Sequence, residues 1–298
     1  MTSSLGPTGP TGPSAPQSFP RPPLLDNPRA ERVRKVAGLA SRNVRQRSRL
    51  ILVEGPQAVR ELVAHRGDSI RDVYVAESAA DAHSDIVGAA RRVTRWVHPA
   101  TDDVVRAMSG DAQGIVAVAD AGAIEEPDEI ALVNEFAVVL ARIQDPGNAG
   151  TLIRTADAMG AACVILLKGS AEAGSPKVIR SSAGSVFHLP VLSGISIDEA
   201  ATAIHSTGGL LMGTSGGEGS LALNALVEER GSGARLAGAH AWVLGNEAQG
   251  MDAHEMELCD HLVRIPMPGK AESLNVSQAG AMCMFASMTV GMRTQEGR

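Results

Sequence analysis

Five polar side chains in three separate stretches carry the chemistry that this sequence could do. Asn148 and Arg154 lie in FAVVLARIQDPGNAGTLIRTADAMGA (Phe136 to Ala161), Glu247 in HAWVLGNEAQGM (His240 to Met251), and Ser273 and Asn275 in IPMPGKAESLNVSQAG (Ile265 to Gly280). Each stretch reads as an apolar strand, a polar turn and the start of a helix, the third helix opening at Ser273-Leu274-Asn275-Val276. Such turns set backbone amides beside side chains able to orient an oxygen or hold an anion. Taken singly, each has a plainer reading. Asn148, Ser273 and Asn275 are good helix caps, Glu247 is a first-turn carboxylate suited to the helix dipole, and Arg154 is a solvated helix arginine. Arg154, however, sits among Leu152, Ile153, Ala156 and Met159, and a guanidinium in a mostly apolar helix calls for an anion.

Several other chemistries are disfavoured. No Gly-x-Gly-x-x-Gly follows a predicted strand, and the glycine-rich Gly213 to Ser220 has no lysine to reach a phosphate. The loops offer backbone amides, small residues and apolar walls, suited to an adenine and a thioether held in a bent shape. Gly213-Thr214-Ser215-Gly216-Gly217 matches the Gly-x-Ser-x-Gly turn of α/β-hydrolases, with Asp252 and His261 following in the right order. A hydrolase elbow needs a helix directly after the serine, and Gly216, Gly217 and Gly219 discourage one. His254 and His261 are seven apart, off the spacing that puts two ligands on one helix face, so no metal is expected. Cys163, Cys259 and Cys283 are odd in number and widely spaced, which fits buried free thiols.

These turns have to be positioned by a scaffold. At 298 residues the chain favours two domains. Residues 1–28 carry PTGPTGPSAP and read as a disordered tail. Residues 29–122 read as a small α/β unit, with strands at Leu50 to Val53, Ile70 to Val75, Arg95 to Val97 and Gly114 to Ala119. Helices fall at Ala82 to Arg92 and Thr101 to Ser109, and another follows Pro56, whose fixed φ suits a first helical turn. The acidic segment 123–133 reads as a linker. Residues 134–298 alternate helices with near-continuous apolar strands at Phe136 to Ile143, Cys163 to Leu167, Gly209 to Gly213, Ala241 to Leu244 and Leu262 to Ile265. That alternation predicts an α/β fold with a parallel sheet covered on both faces, its ligands beyond the carboxyl ends of the strands. All three polar turns lie at those ends.

Charge divides along the chain. Residues Pro28 to Arg106 hold 15 Lys and Arg against 10 Asp and Glu, whereas Ala107 onward holds 11 against 22. A basic front suggests where a polyanion binds. No run approaches the roughly 18 apolar residues of a membrane helix, and the N-terminus does not look like a secretory signal, so the cytoplasm is expected.

The three turns, in this order, resemble the three motifs of the SpoU/TrmH branch of the SPOUT methyltransferases. The resemblance spans Phe136 to the C-terminus. A weaker likeness to the family's ribosomal-protein-like RNA-binding domain covers Ala30 to about Ala119. It implies transfer of a methyl group from S-adenosylmethionine to a ribose 2′-hydroxyl in RNA, a C-terminal domain with a deep trefoil knot, and a homodimer in which Arg154 serves either its own or the partner subunit's site. Asn148, Arg154, Glu247, Ser273 and Asn275 match the family's catalytic positions. Gly245, Ile265 and Leu274 match positions that hold the cofactor, and Gly213, Thr214, Asn246, Gly250 and Met267 complete the expected set, Gly250 through close backbone approach. Large-subunit ribosomal RNA is the first expectation for the substrate and transfer RNA the second; a non-catalytic RNA-binding module and a hydrolase are the alternatives.

RNA follows from the acceptor, since only RNA has a 2′-hydroxyl. Arg42, Arg45, Arg47 and Arg49 are the expected phosphate contacts in the first unit. Lys177, Arg180 and Ser182, in SPKVIRSSAGSVFHLP, are those of a loop that by resemblance faces the substrate. With aromatic residues at 2% of the chain, shape and phosphate contacts are expected to outweigh base stacking.

Overall fold

A computed structural model describes residues 22–126, 130, 132–133, 135–217, 219–231, 233–246 and 248–296. The first unit runs α1 (Glu31–Gly38), α2 (Arg42–Ser48), β1 (Leu50–Glu54), α3 (Pro56–His65), β2 (Ile70–Ala76), α4 (Ser84–Val93), β3 (Val97–Ala100), α5 (Asp102–Met108) and β4 (Ile115–Asp120). Its strands form one sheet in the order β1-β4-β2-β3, with β4 antiparallel to both neighbours. Pro56 opens α3 as its fixed φ predicts. Residues 22–27 do not all belong to a loose tail: Leu25 bridges Ala100 beside β3 through two backbone hydrogen bonds of 2.9 Å. The rest of the expected tail lies outside the described residues.

The second unit runs β5 (Phe136–Leu140), α6 (Pro146–Ala158), β6 (Cys163–Leu167), α7 (Pro176–Ser181), β7 (Val191–Ile195), α8 (Ile197–Ser206), β8 (Leu210–Thr214), β9 (Leu221–Ala222), α9 (Leu223–Glu228), β10 (His240–Leu244), α10 (Ala253–Glu257), β11 (His261–Arg264) and α11 (Val276–Glu296). Its seven strands are parallel, in the order β7-β6-β5-β10-β8-β11-β9. The strands β5, β6 and β10 are buried along their whole length, as both-face burial requires. Two strands were not expected. β7 is only partly buried and carries Gly194, and β9 is two residues long, so neither shows the apolar run that marks a central strand. The last helix starts at Val276 rather than Ser273.

The described residues of the segment expected as a linker include packed ones. Ile124 belongs to a core that also contains Ile51, Val59, Phe136, Leu152 and Phe187, so one apolar cluster runs through both units. Leu132 is buried in a second cluster with Val139 and Ile165, and the Glu125 carbonyl accepts the Val191 amide at 2.8 Å.

β10 is tied to α11 by a buried polar chain. His240 Nδ1–H donates to the Gly238 carbonyl at 2.8 Å, leaving Nε2 to accept the Ser287 hydroxyl at 2.7 Å, and Ser287 Oγ accepts Trp242 Nε1–H at 2.8 Å. Burial pushes the His240 pKa down to about 4, against a smaller opposing effect of the Gly238 carbonyl. Between about pH 6.5 and 4 the unfolded chain therefore takes up a proton that the folded ring refuses, and stability present above pH 6.5 is lost as pH falls. The stability advantage of the native chain over His240→Gln should shrink by about 3 kcal/mol between pH 6.5 and 4, measured by urea unfolding at each pH.

Candidate active site

The three polar turns meet at the carboxyl ends of β5, β10 and β11. In the first, the cap of α6 is Asp145, not Asn148: Asp145 Oδ1 accepts the Asn148 amide at 2.8 Å. Asn148 thus sits inside the first helical turn with its side chain turned to the third motif. Its Oδ1 accepts from Asn275 Nδ2 at 3.2 Å and from Ser277 Oγ at 3.1 Å. Asn275 is itself the residue before α11, and its Oδ1 accepts the Ser277 amide at 2.8 Å. Capping and tertiary bonding, weighed as rivals in the sequence, are both made by one amide group. Ser277 was missed. It is 8% exposed and bonds across 129 residues of sequence, a partnership for which the local pattern carries no signal.

Arg154 projects from the exposed side of α6, while Leu152, Ile153 and Ala156 of the same helix are buried. Among the described residues it has no hydrogen-bond or ion-pair partner, so the anion that its setting calls for is not supplied by them. Ser273 is exposed on the approach to α11. Glu247 lies outside the described residues.

The second turn is built by Asn246. Its backbone exchanges hydrogen bonds with Gly250 at 3.1 and 2.8 Å, its Oδ1 accepts the amides of Ala248 and Gln249, and its Nδ2 donates to the Arg142 carbonyl at 2.8 Å. Close approach falls to Gly245, not Gly250. A Cβ on Gly245 would lie 2.4 Å from backbone atoms of Gly250 and Met251, whereas Gly250 has open space and is needed for its φ of +69°. Arg142, left-handed at φ 57°, turns its guanidinium onto Glu255 with bonds of 3.0 and 2.7 Å. The Glu255 carboxylate holds the Arg142 guanidinium above its ordinary pKa, against the opposing effect of burial. Glu255 also accepts the Asp252 amide in a capping box on α10, so first and second turns share one buried ion pair.

The remaining expected residues divide. Thr214 donates to the Val243 carbonyl at 3.1 Å, and Ile265, Met267 and Leu274 line an open loop between β11 and α11. Gly213 lies inside β8, between β10 and β11 and under Met251, Cys259 and Leu262, so it packs rather than presents itself to a ligand. The hydroxyl of Ser220, in the loop leaving β8, is buried without a hydrogen-bond partner among the described residues. No helix follows Ser215, and its hydroxyl accepts the Gly217 amide at 3.3 Å, so the strained turn of a hydrolase nucleophile is absent there.

Three of the expected RNA contacts serve the fold instead. Arg45 is 5% exposed, forks onto Glu172 at 3.2 and 2.6 Å, and donates to the carbonyls of Leu39 and Ala40. Arg180 pairs with Glu54 and Asp111 of the first unit, and Ser182 is fully buried on the Ile179 carbonyl. Arg42, Arg47, Arg49 and Lys177 are exposed. A further basic surface was overlooked: Arg71, Arg91, Arg92 and Arg95 line a cavity of about 420 Å³ with Trp96. Arg95 stacks 4.5 Å over the half-exposed Trp96 ring. The run RRVTRW, basic residues interleaved with an aromatic, was its visible signal.

Breaking the Arg142–Glu255 pair should be costly, because Glu255 is only 3% exposed and would keep an unpaired charge. Arg142→Ala is expected to lose about 3 kcal/mol in chemical denaturation, and Arg142→Ala with Glu255→Leu to recover much of that loss.

Comparisons with known proteins accord with this geometry. Residues 135–285 match the SpoU rRNA Methylase family. The chain is 32% identical over 244 residues to the 23S rRNA (guanosine-2′-O-)-methyltransferase RlmB of Bordetella pertussis, covering 80% of this chain and 96% of that protein. Two solved structures each superpose with a TM-score of 0.75 over 90% of this chain. One is an RNA 2′-O ribose methyltransferase, 26% identical with 99% of its chain covered. The other is the SpoU methyltransferase AviRb from Streptomyces viridochromogenes in complex with AdoMet, 25% identical with 100% covered. A family match over half of the chain and a relative of this identity, nearly all of whose length is covered, place it: the chain belongs to the SpoU rRNA methylase family.

Proposed function

We propose that this protein transfers the methyl group of S-adenosylmethionine to a ribose 2′-hydroxyl of large-subunit ribosomal RNA, transfer RNA being the second choice. The observation that carries the reading is the direct bonding of Asn148 to Asn275 and Ser277, which joins the first and third motifs, with Arg154 on the same helix exposed and without a partner among the described residues. The loops suit the cofactor. Their backbone around Gly245, Asn246, Ile265, Met267 and Leu274, with Thr214, would hold it. Bound there, the sulfonium supplies a methyl group already activated for transfer.

The chain's own work is alignment and charge. Holding a ribose oxygen in line can be worth roughly 7 to 11 kcal/mol. A guanidinium is a poor base, so Arg154 holds the ribose or an adjacent phosphate and stabilises the alkoxide as the hydroxyl loses its proton. Asn148, Ser273 and Asn275 orient the oxygen, and Glu247 holds Arg154 or a loop amide. Exposed Arg42, Arg47, Arg49 and Lys177, with the Arg91 to Trp96 surface, take the RNA backbone. Residues 29–122 would form the substrate-binding domain and 134–298 the methyltransferase domain, working in the cytoplasm; no described helix is long and apolar enough to cross a membrane.

The reading extends to topology and assembly. α11 returns from the far side of β11 to pack on α6 and β10, a path that favours the family's trefoil knot. Along α11, Met282, Phe285 and Met292 are 44%, 56% and 55% exposed on one stripe, and α11 packs on α6, the helix that carries the exposed Arg154. An apolar stripe of this kind supports a homodimer completed across these helices.

Labelled S-adenosylmethionine should methylate large-subunit ribosomal RNA at a single ribose, mapped in RNA from cells with and without the protein; identical maps would overturn the assignment. Arg154→Lys should cut turnover about 100-fold while cofactor binding stays intact, and near-normal rates would refute a positioning role for the planar guanidinium. Phe285→Asp should sediment as a monomer at concentrations where the native chain is a dimer.

A further inference from the structure

The segment that holds Arg180 and Ser182 also carries His188 to the first unit, where a second cluster of chemistry-bearing residues lies. Glu61 and His65 are one helical turn apart on α3, and His188 faces them from the turn after α7. One ligand atom from each of the three lies within 4.8 Å of the other two. Glu61 Oε2 is 3.3 Å from His188 Nε2 and 3.6 Å from His65 Nε2. Two ligands on a tetrahedral zinc ion stand about 3.3 Å apart, given metal–ligand distances near 2.0–2.1 Å.

Each inner group is oriented from behind. His188 Nδ1 lies 2.8 Å from Asp157 Oδ2 of α6, and because a carboxylate only accepts, Nδ1–H donates to it and the ring is held with Nε2 turned toward Glu61, 3.3 Å away. Glu61 Oε1 takes the Gln57 amide at 2.6 Å, which leaves Oε2 toward the two rings. Carboxylate behind histidine and amide behind carboxylate are the supports that fix metal ligands. The approach is also enforced by the backbone. Gly184, at φ +92°, lies where a Cβ would be 2.6 Å from the Glu61 Cβ. Three ligand atoms, from α3 and from the turn after α7, thus converge within the distance that one bound cation spans.

We infer that Glu61, His65 and His188 form a binding site for a divalent transition metal such as zinc, with water completing the coordination, which clips the first unit to the second. The expectation of a chain without a metal site gives way here to side chains that are remote in sequence. His188 lies 127 residues from Glu61, and the helical pair of Glu61 and His65 shows half of a site at most.

The test uses untagged full-length protein stripped with a chelator and titrated with zinc chloride. One zinc should bind per chain, with a rise in melting temperature, and both effects should vanish in His65→Ala, whose ring is half exposed and which the fold should tolerate. Asp157→Asn should weaken zinc about 10- to 100-fold without abolishing it. Cobalt in place of zinc should give the visible absorption of a nitrogen- and oxygen-ligated ion, lost in His188→Ala. Absence of saturable binding, or binding unchanged in both histidine variants, would overturn the site and leave His188 as a hydrogen-bond partner of Asp157 and Glu61 alone. Methyl transfer by the metal-free chain would bear on neither result, so failure here is separable from failure of the proposed activity.

Discussion

The buried ion pair between Arg142 and Glu255 is the constraint on which the site edge depends. Arg142 spends its guanidinium on Glu255 and its carbonyl on Asn246, so one residue fixes where the second turn sits relative to the first. Glu255 in turn closes the capping box that starts α10. A buried pair of this kind is weak evidence of net stability, since taking both charges out of water offsets most of their attraction. Its value is in position. A turn with only exposed, screened contacts would shift by more than the fraction of an ångström that aligned transfer tolerates.

The same logic explains the acidic second half. Glu172 is bound by Arg45, Glu255 by Arg142 and Asp157 by His188. A part of the negative excess in residues 107–298 is therefore spent inside the fold or at the joint with the first unit. Formal charge along a sequence overstates what an approaching polyanion meets. Arg45 and Arg180 show the reverse error, because their acidic partners lie 127 and 126 residues away in sequence. These two, read from sequence as free for phosphate, are already neutralised.

Legibility thus followed the range of the interaction. Strands buried on both faces are written as unbroken apolar runs, and β5, β6 and β10 could be read directly. β7 could not, since Gly194 and partial exposure break its run. The polar turns were legible as turns, but the sequence left capping open for Asn148 beside its site role, because its setting before an apolar helix is what a cap looks like. Asp145, one residue ahead of Pro146, is equally good by type, and only the geometry shows which side chain reaches the free amide. Freed from capping, Asn148 bonds to α11, and the same substitution of roles brought Ser277 into the site unseen. The packed segment around Ile124 and Leu132 was misread for a related reason: its acidic residues suggested a linker, while its few apolar ones are what the two cores bury.

What remains is why Arg154 has no partner among the described residues when Arg45, Arg142 and Arg180 are each tied to a carboxylate. An exposed guanidinium costs the fold nothing, so stability neither requires nor forbids a partner. Function does discriminate. A carboxylate already bonded to Arg154 would have to be displaced before a phosphate or an alkoxide could take its place, and charge-assisted bonds of that strength are not released cheaply. On the proposed reading, α6 presents a cation uncommitted among the described residues, α11 packed on α6 carries an apolar stripe, and docking of a second copy across these helices would exclude water around it. The guanidinium would then act in a medium where its charge is felt more strongly than at an open surface. Leaving Arg154 bare in one chain and enclosing it in the assembly would reconcile a soluble helix face with an electrostatic role.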